Sequence, residues 1–416
     1  MTLPAGLYRA DHVGSFLRPK EILSIRENIV QNSASQSDLR TAEDSHISSL
    51  VKKELDNGIR SITDGEMRRA YFHLDYLQHL DGVQVNGQII SPSMHKSGFA
   101  PPKLVITGKV KHAQPIQVED FKHLEQCIKE AGMAGKATTK VCIPSPTMCH
   151  FRGGRESIDR NAYPDLDVFF DDLAKAYQDE IQSLYDAGCR QVRSIVLRCD
   201  HIADLCRFVQ LDDTNLAYLC DPQMRKAAAE ERGEDLEALP HKYAALINKA
   251  ISKRPKDMKI GIHLCRGNYR SQWFASGGYE PVSKVLFQEL DVDAYFLEVR
   301  LAIIDHQKDN TNSKQYDDAR SGDFSPLRHL PKSGKWVVLG VMSSKKSELE
   351  DEDTIIKRVK EAAEFAPGGL DQLCLSHQCG FSSTMEGNEL SEDQQWAKVR
   401  SMVSIAKRIW GEDLSA

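Results

Sequence analysis

Eight short apolar runs recur along this chain with amphipathic stretches between them, and that alternation restricts the fold more than any other feature. The runs lie at Arg9–Phe16, Ile59–Asp64, Ala137–Ile143, Phe208–Leu211, Lys259–Cys265, Ala294–Glu298, Trp336–Val341 and Gln372–Ser376. Runs of this length set among helical periodicity belong to βαβ units and a parallel sheet. The clearest helix is Asp167–Ala187, where Phe170, Leu173, Tyr177, Ile181, Leu184 and Tyr185 recur at three- and four-residue spacing and Gly188 supplies a stop. Asp38–Asn57, Glu352–Ala366 and Glu392–Trp410 read the same way. Eight strands and their helices within 416 residues predict one α/β domain, residues 1–416, closed as a (β/α)8 TIM barrel. A doubly wound open sheet is the alternative. No glycine-rich phosphate-binding signature follows any of the runs.

Residues 81–119 break the rhythm. Val83, Val85 and Ile89, then Leu104, Ile106 and Val110, alternate as strands do, which predicts a β-hairpin excursion after the second barrel strand.

Composition excludes several classes of function. The net charge of −6 and the lack of a basic stripe argue against a nucleic-acid partner. No apolar run is long enough to span a membrane. The opening MTLPAGLYRADHVGSF has no apolar core behind a basic start, so no secretory leader is expected. Ten cysteines in a chain of this length do not make a disulfide scaffold, and a reducing, cytoplasmic location is expected.

The sharpest chemical feature is Ile-Gly-Ile-His263-Leu-Cys265. Residues i and i+2 of a strand share a face, so His263 and Cys265 point together near the strand's C-terminal end. Barrel active sites lie at that end, and an imidazole beside a thiolate suits Zn2+. A packed strand cysteine is the plainer reading of the pair alone. Glu298 closes another apolar run, and Cys379 follows the last one before Gly380, with His377 as a rival ligand. One histidine, two cysteines and one glutamate complete a tetrahedral shell. A substrate thiol displacing the carboxylate would be held as a nucleophilic thiolate, which points to alkyl transfer onto sulfur.

These residues resemble the zinc ligands of the cobalamin-independent methionine synthase family. The resemblance extends in order through HVGSF, ITDGE, IPSPTM, QLDDTNLAYLCD and SHQCGF, over most of the chain, and is closer to the short single-barrel members. It implies a zinc enzyme with His263, Cys265, Glu298 and Cys379 as ligands. The partners it implies are a small-molecule thiol, homocysteine giving methionine, and a methyl donor, as in a 5-methyltetrahydropteroyltri-L-glutamate–homocysteine S-methyltransferase. By the same resemblance Glu66 and Asp212 bind the amino group of homocysteine, and Ser15 belongs to the segment that holds its carboxylate. Two other readings stay open: a zinc alkyltransferase acting on another thiol or donor, and a non-catalytic zinc barrel.

The chain departs from the family in two respects. Where full-length members carry an Asp-x-His-Ser segment after the seventh strand, this chain reads Val341-Met342-Ser343-Ser344-Lys345. The acid/base histidine is absent, so the resemblance does not carry a folate polyglutamate donor across. Two atypical insertions, 191–207 and 299–315, also interrupt the family pattern. Val299 permits a GT start, Thr311-Asn312 a CTAAC branch and Gln315 an AG end, so the second reads either as a lid loop or as a translated intron.

Overall fold

The structure is a computed structural model that describes residues 2–88, 102–192, 208–272, 274–298 and 322–414. Both insertions and residues 89–101 fall almost entirely outside these ranges. Among the described residues, no helix is long and apolar enough to cross a membrane.

The fold is α/β, built on a curled parallel sheet. Its strands run β1 (Ser61–Ile62), β4 (Thr138–Pro144), β5 (Phe208–Asp213), β6 (Lys259–Leu264), β7 (Ala294–Leu297), β8 (Trp336–Met342) and β9 (Leu373–His377), each neighbour being the next in this order. Every pair in it is parallel. Between β1 and β4 the chain forms β2 (Asp81–Gln88) and β3 (Pro102–Lys111), which pair antiparallel as a sheet of their own.

The N-terminal segment departs from expectation. Instead of a regular strand over Arg9–Phe16, it makes a single parallel bridge, Ala10 to Leu375 on β9. Further bonds reach the opposite edge: His12 Nε2 meets Ser61 O at 2.7 Å, Thr63 Oγ1 donates to Gly14 O at 2.7 Å, and Phe16 N donates to Gly65 O at 3.1 Å. The segment thus touches both ends of the curled sheet. Gly14, at φ +131, turns the backbone out of a strand conformation.

Strand parity sets the interior. On β5 Phe208, Gln210 and Asp212 share a face; on β6 Gly261 and His263 do; on β7 Ala294 and Phe296 lead to Glu298. The lower members of these series, with Val338, Cys374, Leu3 and Leu7, form an apolar plug. A Cβ on Gly261 would lie 2.8 Å from Phe208 and 3.1 Å from Phe296, so this glycine admits both rings. Above the plug, Lys140 Nζ donates to Asp11 Oδ1 at 2.6 Å with both side chains fully buried. Such a pair tolerates burial because its partners neutralise each other. The upper members of the series are polar and converge at the C-terminal ends of the strands.

Helices cover the outside of the sheet. Gln36–Asp56 begins with a capping box from Ser35 and Asp38, and Glu392–Trp410 with one from Ser391 and Gln394. The helix expected to stop at Gly188 runs from Leu166 to Val192. A glycine inside a helix costs only about 1 kcal/mol, and one that lacks a left-handed turn after it does not end the helix.

Candidate metal centre and substrate cavity

His263 ends the inward face of β6, and Cys265 follows it by one residue pair. Glu298 follows β7, and Cys379 lies two residues beyond β9. One ligand atom from each of these four comes within 4.8 Å of all the others, and all four residues are buried. Cys265 Sγ and Cys379 Sγ are 3.3 Å apart. His263 Nδ1 faces Phe296 O at 3.2 Å, while its Nε2 has no hydrogen-bond partner. A carbonyl on Nδ1 fixes the tautomer that leaves the Nε2 lone pair free. His377, the rival ligand, stands outside the cluster with its ring 5.0 Å from that of Phe381.

The electrostatics suit a cation. The hydrogen bond from Cys265 holds the Cys379 thiol well below its ordinary pKa, with burial opposing and His263 and Lys345 assisting. Cys265 moves the opposite way, raised by the same hydrogen bond and by burial. Burial disfavours a charged His263, but Cys379, Asp212 and Glu298 together hold its pKa above the usual value. Glu298 Oε1 accepts from Arg266 N at 2.9 Å, and Oε2 lies 3.8 Å from Lys345 Nζ. Lys345 is itself buried, at 4% exposure. Nothing in the sequence marks it, because only the fold turns the loop after β8 over Glu298.

A cavity opens above the cluster. It is lined by Ser15, Glu66, Asp212, His263, Cys265 and Cys379, and walled by Tyr71, Phe72, His73, Arg152, Tyr218 and Phe274. Glu298 lies behind it and is fully buried. Of the seven residues singled out from the sequence, six therefore line one cavity and the seventh backs it.

Glu66 enters on a strained turn. Both Gly65 (φ +65) and Glu66 (φ +55) are left-handed, which is costly for a glutamate and is found where a side chain must be aimed. Glu66 is buried rather than paired at the surface, and burial pushes its carboxyl up to about 7. Asp212 Oδ1 accepts from Gln210 Nε2 at 2.8 Å, leaving Oδ2 free, and burial pushes this carboxyl up to about 6. The neighbouring Asp213 turns away from the cavity, accepting from Leu216 N at 2.9 Å and from Thr147 Oγ1. Ser15 packs against the Cys379-Gly380 turn, and its Oγ accepts from Ser382 N at 3.3 Å. A Cβ on Gly380 would lie 1.9 Å from Ser15 Oγ, so that position has no room for a side chain.

Residues 9–195 match the family described as cobalamin-independent synthase, catalytic domain. The uncharacterized protein YxjH of Bacillus subtilis (strain 168) is 38% identical over 403 residues, spanning 97% of this chain and 95% of that one. A Listeria monocytogenes protein, provisionally described as a vitamin-B12-independent methionine synthase, has a crystal structure that superposes with a TM-score of 0.70 at 35% identity, covering 99% of this chain and 100% of that one. The B12-independent methionine synthase of Shewanella sp. W3-18-1, solved in complex with selenomethionine, shares the fold at a TM-score of 0.66 and 17% identity over 98% of both chains. On this evidence the chain belongs to the cobalamin-independent methionine synthase family.

Proposed function

We propose that this protein is a zinc-dependent methyltransferase that methylates the thiol of an amino acid, homocysteine giving methionine, within a closed (β/α)8 barrel whose eighth strand is the segment around Ala10 and whose β2–β3 pair is a hairpin excursion. The observation that carries the reading is the convergence of His263, Cys265, Glu298 and Cys379 on one point with His263 Nε2 unpartnered. The donor set fits zinc: two thiols, one oriented imidazole and one carboxylate are its preferred ligands. Zinc bound there supplies a Lewis acid that keeps an acceptor sulfur ionised at neutral pH.

The chain's own residues do the rest. Glu66 Oε2 and Asp212 Oδ2, both unpartnered, hold the ammonium group of the acceptor. The Ser15 turn holds its carboxylate beside Gly380. Anchoring both ends of the amino acid orients the sulfur toward the cluster. Two thiolates and one carboxylate around a divalent ion leave an excess negative charge, and Lys345 beside Glu298 offsets it. Tyr71, Phe72 and Phe274 narrow the cavity against water. In the transfer, a sulfur lone pair forms the new S–C bond while the donor keeps the electrons of its broken bond to methyl. Holding donor and thiolate in line supplies most of the acceleration.

The cavity argues against a purely structural centre, because His263, Cys265 and Cys379 line it rather than closing off a buried knot. The reading is tested by titrating L-homocysteine into zinc-loaded and zinc-free protein in buffers of different ionisation enthalpy. Zinc-loaded protein is expected to bind it more tightly, releasing a proton. Binding that is indifferent to zinc would overturn the reading.

A further inference from the structure

Cys142 has no part in the chemistry described so far, yet it stands beside the two carboxylates that receive the ammonium group. Glu66, Cys142 and Asp212 bring one ligand atom each within 4.8 Å of the others, and all three are buried. They arrive from separate elements: Glu66 from the turn after β1, Cys142 from the inward face of β4, Asp212 from β5. Glu66 is 4% exposed and Asp212 5%, and Glu66 Oε2 and Asp212 Oδ2 have no hydrogen-bond partner. Cys142 Sγ makes a long contact of 3.5 Å to Val13 O. Gly14 leaves the space for it, since a Cβ there would lie 2.7 Å from Cys142 Sγ and 3.6 Å from Glu66 Oε1.

We propose that Glu66, Cys142 and Asp212 form a second cation site that takes a divalent, thiol-seeking ion such as zinc or cadmium in place of the substrate's ammonium group. An ammonium group needs oxygen acceptors, and two carboxylates supply them; a thiol adds little, being a weak acceptor. A sulfur with two carboxylates is instead a ligand set for zinc-like ions, which bind thiolate and carboxylate together. Two carboxylates facing each other in a buried pocket also repel, and a divalent ion cancels both charges where an ammonium cancels one. Binding releases the Cys142 proton to solvent. The Arg69 guanidinium, which donates to Cys142 O and to Gln117 Oε1 at 3.0 Å, already supplies one positive charge nearby. With three ligand residues and one sulfur against four residues and two sulfurs, the second site is weaker than the first. Zinc in excess of the catalytic equivalent then excludes the amino acid and inhibits; this consequence rests on the assignment of Glu66 and Asp212 to the ammonium group.

The test is a titration of metal-free protein with Cd2+, following bound metal and the ultraviolet absorbance of cadmium–thiolate bonds. Two steps are expected, the first adding two thiolates and the second one. Cys142→Ala should lose the second step only, and Cys379→Ala should disturb the first only. Glu66→Gln, which keeps the thiol, should also lose the second step; circular dichroism establishes that each variant is folded. L-methionine should move the second step, and not the first, to higher cadmium. A single step in the wild type, or a second step that survives Cys142→Ala, would overturn the site. A second step unmoved by L-methionine would overturn the competition. Loss of the first step with the second intact would instead count against the proposed function.

Discussion

Cys265 Sγ and Cys379 Sγ lie 3.3 Å apart although 114 residues separate them in the chain. The contact exists because β6 and β9 end at the same rim of the curled sheet and each thiol stands just past its strand. Both cysteines bring a ligand atom to the same point as His263 and Glu298, and in the proposed zinc site replacing either removes a ligand. Cys265→Ser and Cys379→Ser are each expected to lose zinc and methyl transfer together while remaining folded. Metal analysis beside a turnover assay checks this, and full activity in a metal-free Cys379→Ser protein would refute the assignment.

Lys345 should matter through charge. Its Nζ lies 3.8 Å from Glu298 Oε2 in a buried setting. Lys345→Met keeps the length of the side chain and removes its charge. Partners of metal ligands typically govern about 10- to 100-fold in metal affinity, and a loss of that order is expected in a competition with a chelator. An unchanged zinc affinity would show that Lys345 does not act on the centre.

Gly380 should tolerate no side chain. A Cβ there would meet Ser15 Oγ at 1.9 Å and Ser15 Cβ at 3.0 Å. Overpacking of this kind costs about 1–3 kcal/mol, so Gly380→Ala should lower the melting temperature and displace Cys379. Ser15→Gly in the same chain should recover part of the loss, giving a favourable coupling in a double-mutant cycle. Additive losses would mean that the clash is relieved elsewhere.

The carboxylate pair predicts a pH dependence. Burial, with Asp212 adding to it and Arg69 opposing, pushes Glu66 up to about 7 from an ordinary value of 4.5. A carboxyl whose folded pKa is raised favours the folded state below its unfolded pKa, and that contribution is lost as pH rises through the folded one. Ligand-free wild type should therefore lose stability relative to Glu66→Gln between about pH 4.5 and about 7. L-methionine binding should show the reverse trend, because an ammonium group needs ionised carboxylates. Its affinity is expected to rise through the values of Asp212, about 6, and Glu66, about 7, and then level off. Calorimetric titrations across this range check it, and an affinity flat in pH would exclude the pair as the ammonium site.

The parts of the molecule governed by local pattern were legible in the sequence. The runs that became β4 to β9 were, because buried parallel strands read as apolar runs whatever their neighbours. The shared face of His263 and Cys265 followed from the two-residue period of a strand. Glu298 and Cys379 could be placed at strand ends, although their meeting point needed the curl of the sheet. The segment around Ala10 was legible as a strand candidate but not as irregular: its backbone bonds are divided among Leu375, Leu414, Phe381 and the β1 side, a division that depends on tertiary structure. Gly188 misled because a glycine marks a helix end only when the turn after it needs a left-handed residue. Cys142 and Lys345 were not legible as site residues. A cysteine inside an apolar run reads as core, and a lysine after Ser343-Ser344 reads as surface. Only the packing of β4 beside β5, and of the loop after β8 over Glu298, brings them to the site.

The most direct test of the central claim is zinc K-edge X-ray absorption on the zinc-loaded protein before and after L-homocysteine. The expected shell has two sulfurs, one nitrogen and one oxygen from Cys265, Cys379, His263 and Glu298, and becomes three sulfurs and one nitrogen when the thiol enters. A shell that keeps its oxygen in the presence of saturating homocysteine would contradict it.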